Sequence, residues 1–161
     1  MSISVSSHVD LGTLRVEART QAGQLIALAA DPPEGDGSAA GPKEVLLAAL
    51  SGCTAMDVAS ILRKKRQRAE TYEIAVSGES AGEHPKVLTS IVVEHRVRGA
   101  VEPEALRRSI ELSATKYCPV NAMLSAVARV EHRYLLIDAA GATYAATVAF
   151  VGPDRRIEVV G

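Results

Sequence analysis

Two cysteines are the residues of this chain whose type and placement could carry chemistry. Cys118 stands in Lys116-Tyr117-Cys118-Pro119-Val120-Asn121, where Pro119 suits a first helical position and puts Cys118 near the N-cap. Unpaired backbone N–H groups and the helix dipole favour thiolate there, and Lys116 adds positive charge. The other reading is a small buried residue at a helix start. Cys53 stands in Ser51-Gly52-Cys53-Thr54-Ala55-Met56-Asp57, mid-way along an apolar helix, where burial raises a thiol pKa and leaves it inert. Gly52 alters that weighing. A glycine inside a helix costs roughly 1 kcal/mol relative to alanine, which hints at close approach by another backbone or a ligand. Asp57, four residues after Cys53, shares its helical face and reads as a buried, partnered carboxylate rather than an acid catalyst.

The cysteines are 65 residues apart, which excludes a CxxC motif but allows two helices to bring the sulfurs together. Two-cysteine peroxide chemistry needs such a meeting. A thiolate attacks the O–O bond and becomes a sulfenic acid, and a second thiol condenses with it to a disulfide. Two cysteines are too few for a zinc site unless histidines or carboxylates join them. His8, His84, His95 and His132 are scattered, and those in strands, His95 and His132, read as exposed or hydrogen-bonded rather than as ligands. No phosphate loop or dinucleotide fingerprint occurs, so neither a metal nor a cofactor is expected.

The elements that must position these residues fall into blocks. Ile3 to Thr20 is rich in β-branched residues and makes two strands or one bent one, and Gln24 to Ala29 continues as a strand after a turn at Ala22-Gly23. Asp31 to Pro42 is Pro/Gly-rich loop. A long helix runs from Pro42 to Gln67, apolar nearly all round in its first half and closing on Arg63-Lys64-Lys65-Arg66, a solvated cap. Tyr72–Glu79 and Val87–Val97 alternate like antiparallel strands. A helix opening at Glu102-Pro103 carries the stripe Leu106, Ile110, Ala114 and Tyr117. A second short helix from Pro119 turns Val120, Met123, Leu124 and Val127 inward. Val130–Asp138 is a strand, and Thr143–Val151 with Ile157–Val160 forms a closing hairpin around Gly152-Pro153-Asp154. Segregated blocks of this kind predict an α+β fold. One sheet leaves part of so apolar a helix bare, which predicts a second subunit.

Composition removes other classes. Lys plus Arg number 18 against 19 Asp plus Glu, for a net charge of −1, so no field attracts nucleic acid or an anionic membrane. With no Trp, one Phe and four Tyr, base-stacking platforms are not expected either. The chain shows neither a secretory leader nor a long uninterrupted apolar run, and the expected setting is cytoplasmic, where thiols stay reduced.

Gly41-Pro42-Lys43-Glu44-Val45-Leu46-Leu47-Ala48-Ala49-Leu50-Ser51-Gly52-Cys53 resembles the segment that opens the long central helix of OsmC/Ohr proteins, in its less characterised OsmC-like branch. Lys116-Tyr117-Cys118-Pro119-Val120-Asn121-Ala122 resembles their second cysteine motif, and the similarity covers about residues 10 to 137. The resemblance implies one OsmC-like domain over residues 1–161, with N-terminal strands at 1–30, a central helix at 42–67, strands and two helices at 70–138, and a C-terminal extension at 139–161 beyond the usual family end. It implies antiparallel sheets around the helix, in an intertwined homodimer. It further implies that Cys53 attacks an organic hydroperoxide, that Cys118 resolves it, and that a dithiol or lipoylated protein is the reductant. In the hydroperoxidases an Arg from the N-terminal strands and a Glu ten positions before the attacking cysteine ionise the thiol. Here the tenth position is Lys43, and Glu44 lies about 100° further round the helix. Arg15 and Arg19 are the two candidates for the Arg. A non-enzymatic binder of small apolar ligands and a slow redox sensor are the competing readings.

Overall fold

The computed structural model describes residues 2–153 and 156–160, and its contacts group into two units, residues 1–48 and 49–161. The first unit holds a three-stranded antiparallel sheet of β1 (Val5–Val9), β2 (Val16–Thr20) and β3 (Leu25–Leu28), in that order. The β1–β2 connection is tied by the Asp10 carboxylate, which accepts from the amides of Gly12 at 2.7 Å and Thr13 at 3.1 Å. The β2–β3 turn uses Gly23 at φ +90°, which a side chain would disfavour.

Helix α1 (Pro42–Lys64) begins with Pro42 at its first position, and the Glu44 carboxylate reaches back to the Gly41 amide at 2.7 Å. It ends three residues earlier than the sequence predicts. Arg66 takes φ +57°, and the amides of Arg66 and Gln67 turn back to the carbonyls of Arg63 and Leu62, a Schellman stop made without glycine. Its basic last turn, Arg63 and Lys64, suits the negative end of the dipole.

The second unit is built on a five-stranded sheet ordered β4 (Arg68–Ser80), β5 (Leu88–Ala100), β6 (Arg129–Asp138), β7 (Thr143–Val151) and β8 (Ile157–Val159). All pairs are antiparallel except β5–β6, whose parallel link crosses over through α2 (Pro103–Leu112), a wide turn at Ser113–Tyr117 and α3 (Pro119–Leu124). The fold is α+β, as the blocked order of elements predicts. Val58 and Leu62 of α1 join Val97 and Val101, Leu106 and Ile110 of α2, Leu136 of β6 and Val148 of β7 in one core. Each such side chain contributes about 1.5–3 kcal/mol by leaving water. The hairpin after Asp138 is therefore no appendage, because β7 buries Val148 and Ala149 completely. Asp154, expected in its turn, lies outside the described residues.

Three expectations about faces are corrected. Helix α1 buries the single row Leu50, Thr54, Val58 and Leu62, not most of its surface, and Met56 is 71% exposed. By length and composition alone α1 could also cross a bilayer, a property it shares with core helices. Tyr117 leaves the α2 stripe for the surface because the turn before it widens to a hydrogen bond from the Cys118 amide to Ser113 five residues back. In and after α3 the inward positions are Asn121, Leu124, Ser125 and Ala128, while Met123 and Val127 are 65% and 63% exposed.

Gly99 is a glycine whose backbone conformation and surroundings both exclude a side chain. At φ +125°, opposite a register shift in β4, its Cβ would sit 2.5 Å from the Arg68 carbonyl oxygen and 2.6 Å from the Glu70 nitrogen. Gly99→Ala is expected to cost about 2 kcal/mol of stability, read from a urea titration; an unchanged midpoint contradicts the reading.

Candidate active site

Cys53, Asp57 and Cys118 converge in the second unit: their sulfur and carboxylate oxygen atoms all lie within 4.8 Å of one another. Helix α1 supplies the first two at one-turn spacing. The third arrives from the far end of the crossover. Pro119 restricts the residue before it to extended backbone, and Cys118 sits at φ −73°, ψ 105° as the N-cap of α3. Its sulfur accepts from the Asn121 amide at 3.3 Å and from the Thr54 hydroxyl at 3.7 Å. The Ser113 hydroxyl donates to Asp57 Oδ2 at 3.0 Å, so the carboxylate is partnered, as expected.

The two thiols differ in access. Cys118 is 3% exposed, whereas Cys53 is half-buried. Burial first, and then the hydrogen bond with Cys53, push the Cys118 thiol up to about 11. Of the two readings of Cys118, a thiolate favoured by the helix N-terminus and a small buried residue at a helix start, burial supports the second, because desolvation outweighs the amide and hydroxyl donors. Lys116 Nζ lies 5.4 Å from the centre of the Tyr117 ring. Gly52 has nothing within 4 Å of the point where a Cβ would lie, so among the described residues nothing beyond its own stretch of helix approaches it there.

The other residues singled out in the sequence belong to the first unit and have local roles there. Arg15 donates to the Ser38 hydroxyl at 2.8 Å, Arg19 to the Gly23 carbonyl at 3.3 Å, and Glu44 caps α1. Lys43 occupies the first turn of α1.

Beneath the thiols runs a polar network that sequence reasoning missed. Asn121 donates through Nδ2 to the Ala114 carbonyl at 2.7 Å, so its Oδ1 accepts from His132 Nε2 at 3.0 Å. Tyr72 Oη and His95 Nδ1 lie 2.8 Å apart, and the two imidazole rings face each other at 5.9 Å. Both histidines are fully buried, and burial lowers the His132 pKa to about 4 and that of His95 well below the usual range. They are neutral, hydrogen-bonded core residues. Asn121→Ala leaves the Ala114 carbonyl and His132 without these partners and is expected to cost about 2 kcal/mol in a denaturant titration; a wild-type midpoint contradicts it.

A cleft of about 560 Å³ opens at the end of α1 between Leu62, Arg63, Arg66, Arg68 and Tyr72. Three guanidinium groups make it unlike the apolar pocket that a binder of apolar ligands needs.

The OsmC-like protein family profile matches residues 35–133, a span that takes in both cysteines. Protein YhfA of Escherichia coli K12 is 37% identical over 110 residues, covering 68% of this chain and 81% of that one. The chain belongs to the OsmC-like protein family. A hypothetical protein from Aquifex aeolicus superposes with a TM-score of 0.76 at 26% identity, over 86% of this chain and 98% of the other. An organic hydroperoxide resistance protein OsmC from Legionella pneumophila shares the OsmC-like fold, with a TM-score of 0.63 at 14% identity over 82% and 95% of the two chains.

Proposed function

We propose that this protein reduces hydroperoxides, organic ones foremost, through a two-cysteine cycle. One observation carries the reading: two sulfurs 65 residues apart in sequence lie within 4.8 Å, one reachable from solvent and one held behind it. The Cys53 thiolate attacks the distal oxygen, the O–O bond breaks, and the alkoxide takes a proton to leave as an alcohol. Cys118 then displaces water from the Cys53 sulfenic acid and closes a disulfide. A dithiol or lipoylated protein returns both thiols, which places the cycle in a reducing compartment such as the cytoplasm. That the OsmC-like family includes organic hydroperoxide resistance proteins supports this substrate class.

The working form in this proposal is a homodimer. The apolar side chains of α1 outside its buried row, Met56 among them, are the surface a second copy would cover. The test of the reaction is the mass of the reduced chain before and after one equivalent of cumene hydroperoxide, without reductant. The expected product has lost two hydrogens as a Cys53–Cys118 disulfide. An unchanged mass rejects the cycle.

A further inference from the structure

We propose that Cys53, Asp57 and Cys118 also form a binding site for a soft divalent cation of the zinc class. Two cysteines alone do not make such a site, but the fold adds a carboxylate to them. Tetrahedral zinc takes thiolate sulfur at about 2.3 Å and carboxylate oxygen at about 2.0–2.2 Å, so its ligand atoms stand roughly 3.5–3.8 Å apart. The three atoms here already lie within 4.8 Å of one another, and side-chain rotation of about 1 Å closes the set. Cys53 and Asp57 are half-buried and give the ion its way in, while Cys118 forms the floor.

The surroundings are those of a metal site. Ser113 holds the Asp57 carboxylate at 3.0 Å, and the Asn121 amide and Thr54 hydroxyl both point donors at the Cys118 sulfur. Outer partners of this kind orient ligands and stabilise the thiolate form that a metal binds. Two thiolates and one carboxylate select zinc or cadmium over magnesium or calcium, which prefer oxygen alone. Three protein ligands leave a fourth position for water or an added thiol. Binding exchanges two thiol protons for the ion with no change of oxidation state. It also occupies both sulfurs, so metal and disulfide exclude each other at this site.

The test is titration of the reduced full-length protein with Co²⁺, followed by displacement with Zn²⁺. The expected result is thiolate-to-cobalt charge-transfer absorption saturating at one ion per chain and lost on adding zinc. Asp57→Asn keeps both thiols and the side-chain shape. It is expected to weaken zinc binding by more than the roughly 10–100-fold that loss of an outer partner costs. Ser113→Ala, which leaves all three ligands in place, is expected to weaken it less. Absent charge transfer overturns the site, and so does Asp57→Asn binding as tightly as wild type. The proposal stands apart from the peroxide cycle: a chain that binds cobalt but forms no disulfide with hydroperoxide keeps this site and loses that function.

Discussion

A Cys53→Ser protein is expected to consume organic hydroperoxide at the background rate, a loss of about a thousandfold or more, because a serine oxygen, unlike a thiolate sulfur, cannot take up the peroxide oxygen as a sulfenic acid does. Cys118 does not take over. It is buried behind Cys53, and its thiol is held up near 11 by the loss of water around it, so it meets neutral pH as a protonated group out of reach of solvent. The converse variant behaves differently. Cys118→Ser leaves the half-exposed Cys53 in place, so each chain reduces one peroxide and stops. With no thiol within bonding reach, the Cys53 sulfenic acid persists and excess peroxide carries it to sulfinic acid. Cys53→Ser is read in a dithiol-coupled assay, and Cys118→Ser by intact mass after excess peroxide without reductant. A wild-type rate from Cys53→Ser rejects the assignment of the attacking sulfur. A Cys118→Ser chain that gains no oxygen rejects the role of the resolving one.

The elements that carry these sulfurs were legible because they rest on local signals. Pro42 marks the start of α1, Pro119 marks α3, and the alternation in β4 and β5 marks strands. The family resemblance carried both cysteines into one site. The faces of the short helices were less legible. Hydrophobicity alone points Met123 and Val127 inward, yet the inward row of α3 starts with Asn121, whose partners are His132 on β6 and the Ala114 carbonyl. That carbonyl is available for a reason of chain geometry. The Cys118 amide passes it over for Ser113, and the next residue, Pro119, has no N–H. The missing donor is then supplied by the asparagine side chain, at a cost in apparent hydrophobicity that a periodicity search reads as a surface position. The same blindness affects α1, where Thr54 lies in the buried row and Met56 outside it. A helix whose apolar residues lie both in its buried row and outside it carries no single stripe to find.

The second large effect is acid lability. His132 is fully buried, and its only hydrogen bond in the network runs from Nε2–H to Asn121, a bond the neutral ring already makes. Protonation would add a buried charge at Nδ1, which has no partner among the described residues. Its folded pKa is accordingly lowered to about 4, against about 6.5 in the unfolded chain. Between those values the unfolded chain binds a proton that the folded one refuses, so stability is complete above about pH 6.5 and falls as the pH drops toward 4. Over that window His132 alone removes about 3 kcal/mol. His95, lowered by burial and by the neighbouring His132, acts in the same direction. The carboxylates with lowered values are Asp10, held down by the Gly12 amide, Asp36, held down by Ser38, and Glu94 and Glu104, held down by arginine hydrogen bonds, and all lose their share only at lower pH. Urea unfolding at pH 7.5 and pH 5 therefore isolates the histidines, and His132→Gln, which keeps a donor toward Asn121 but cannot titrate, is expected to flatten the difference while lowering stability at pH 7.5. Equal stability of the wild-type protein at the two pH values would mean that the two rings are not held neutral in the core, and that protonation finds partners for Nδ1 of His132 and Nε2 of His95.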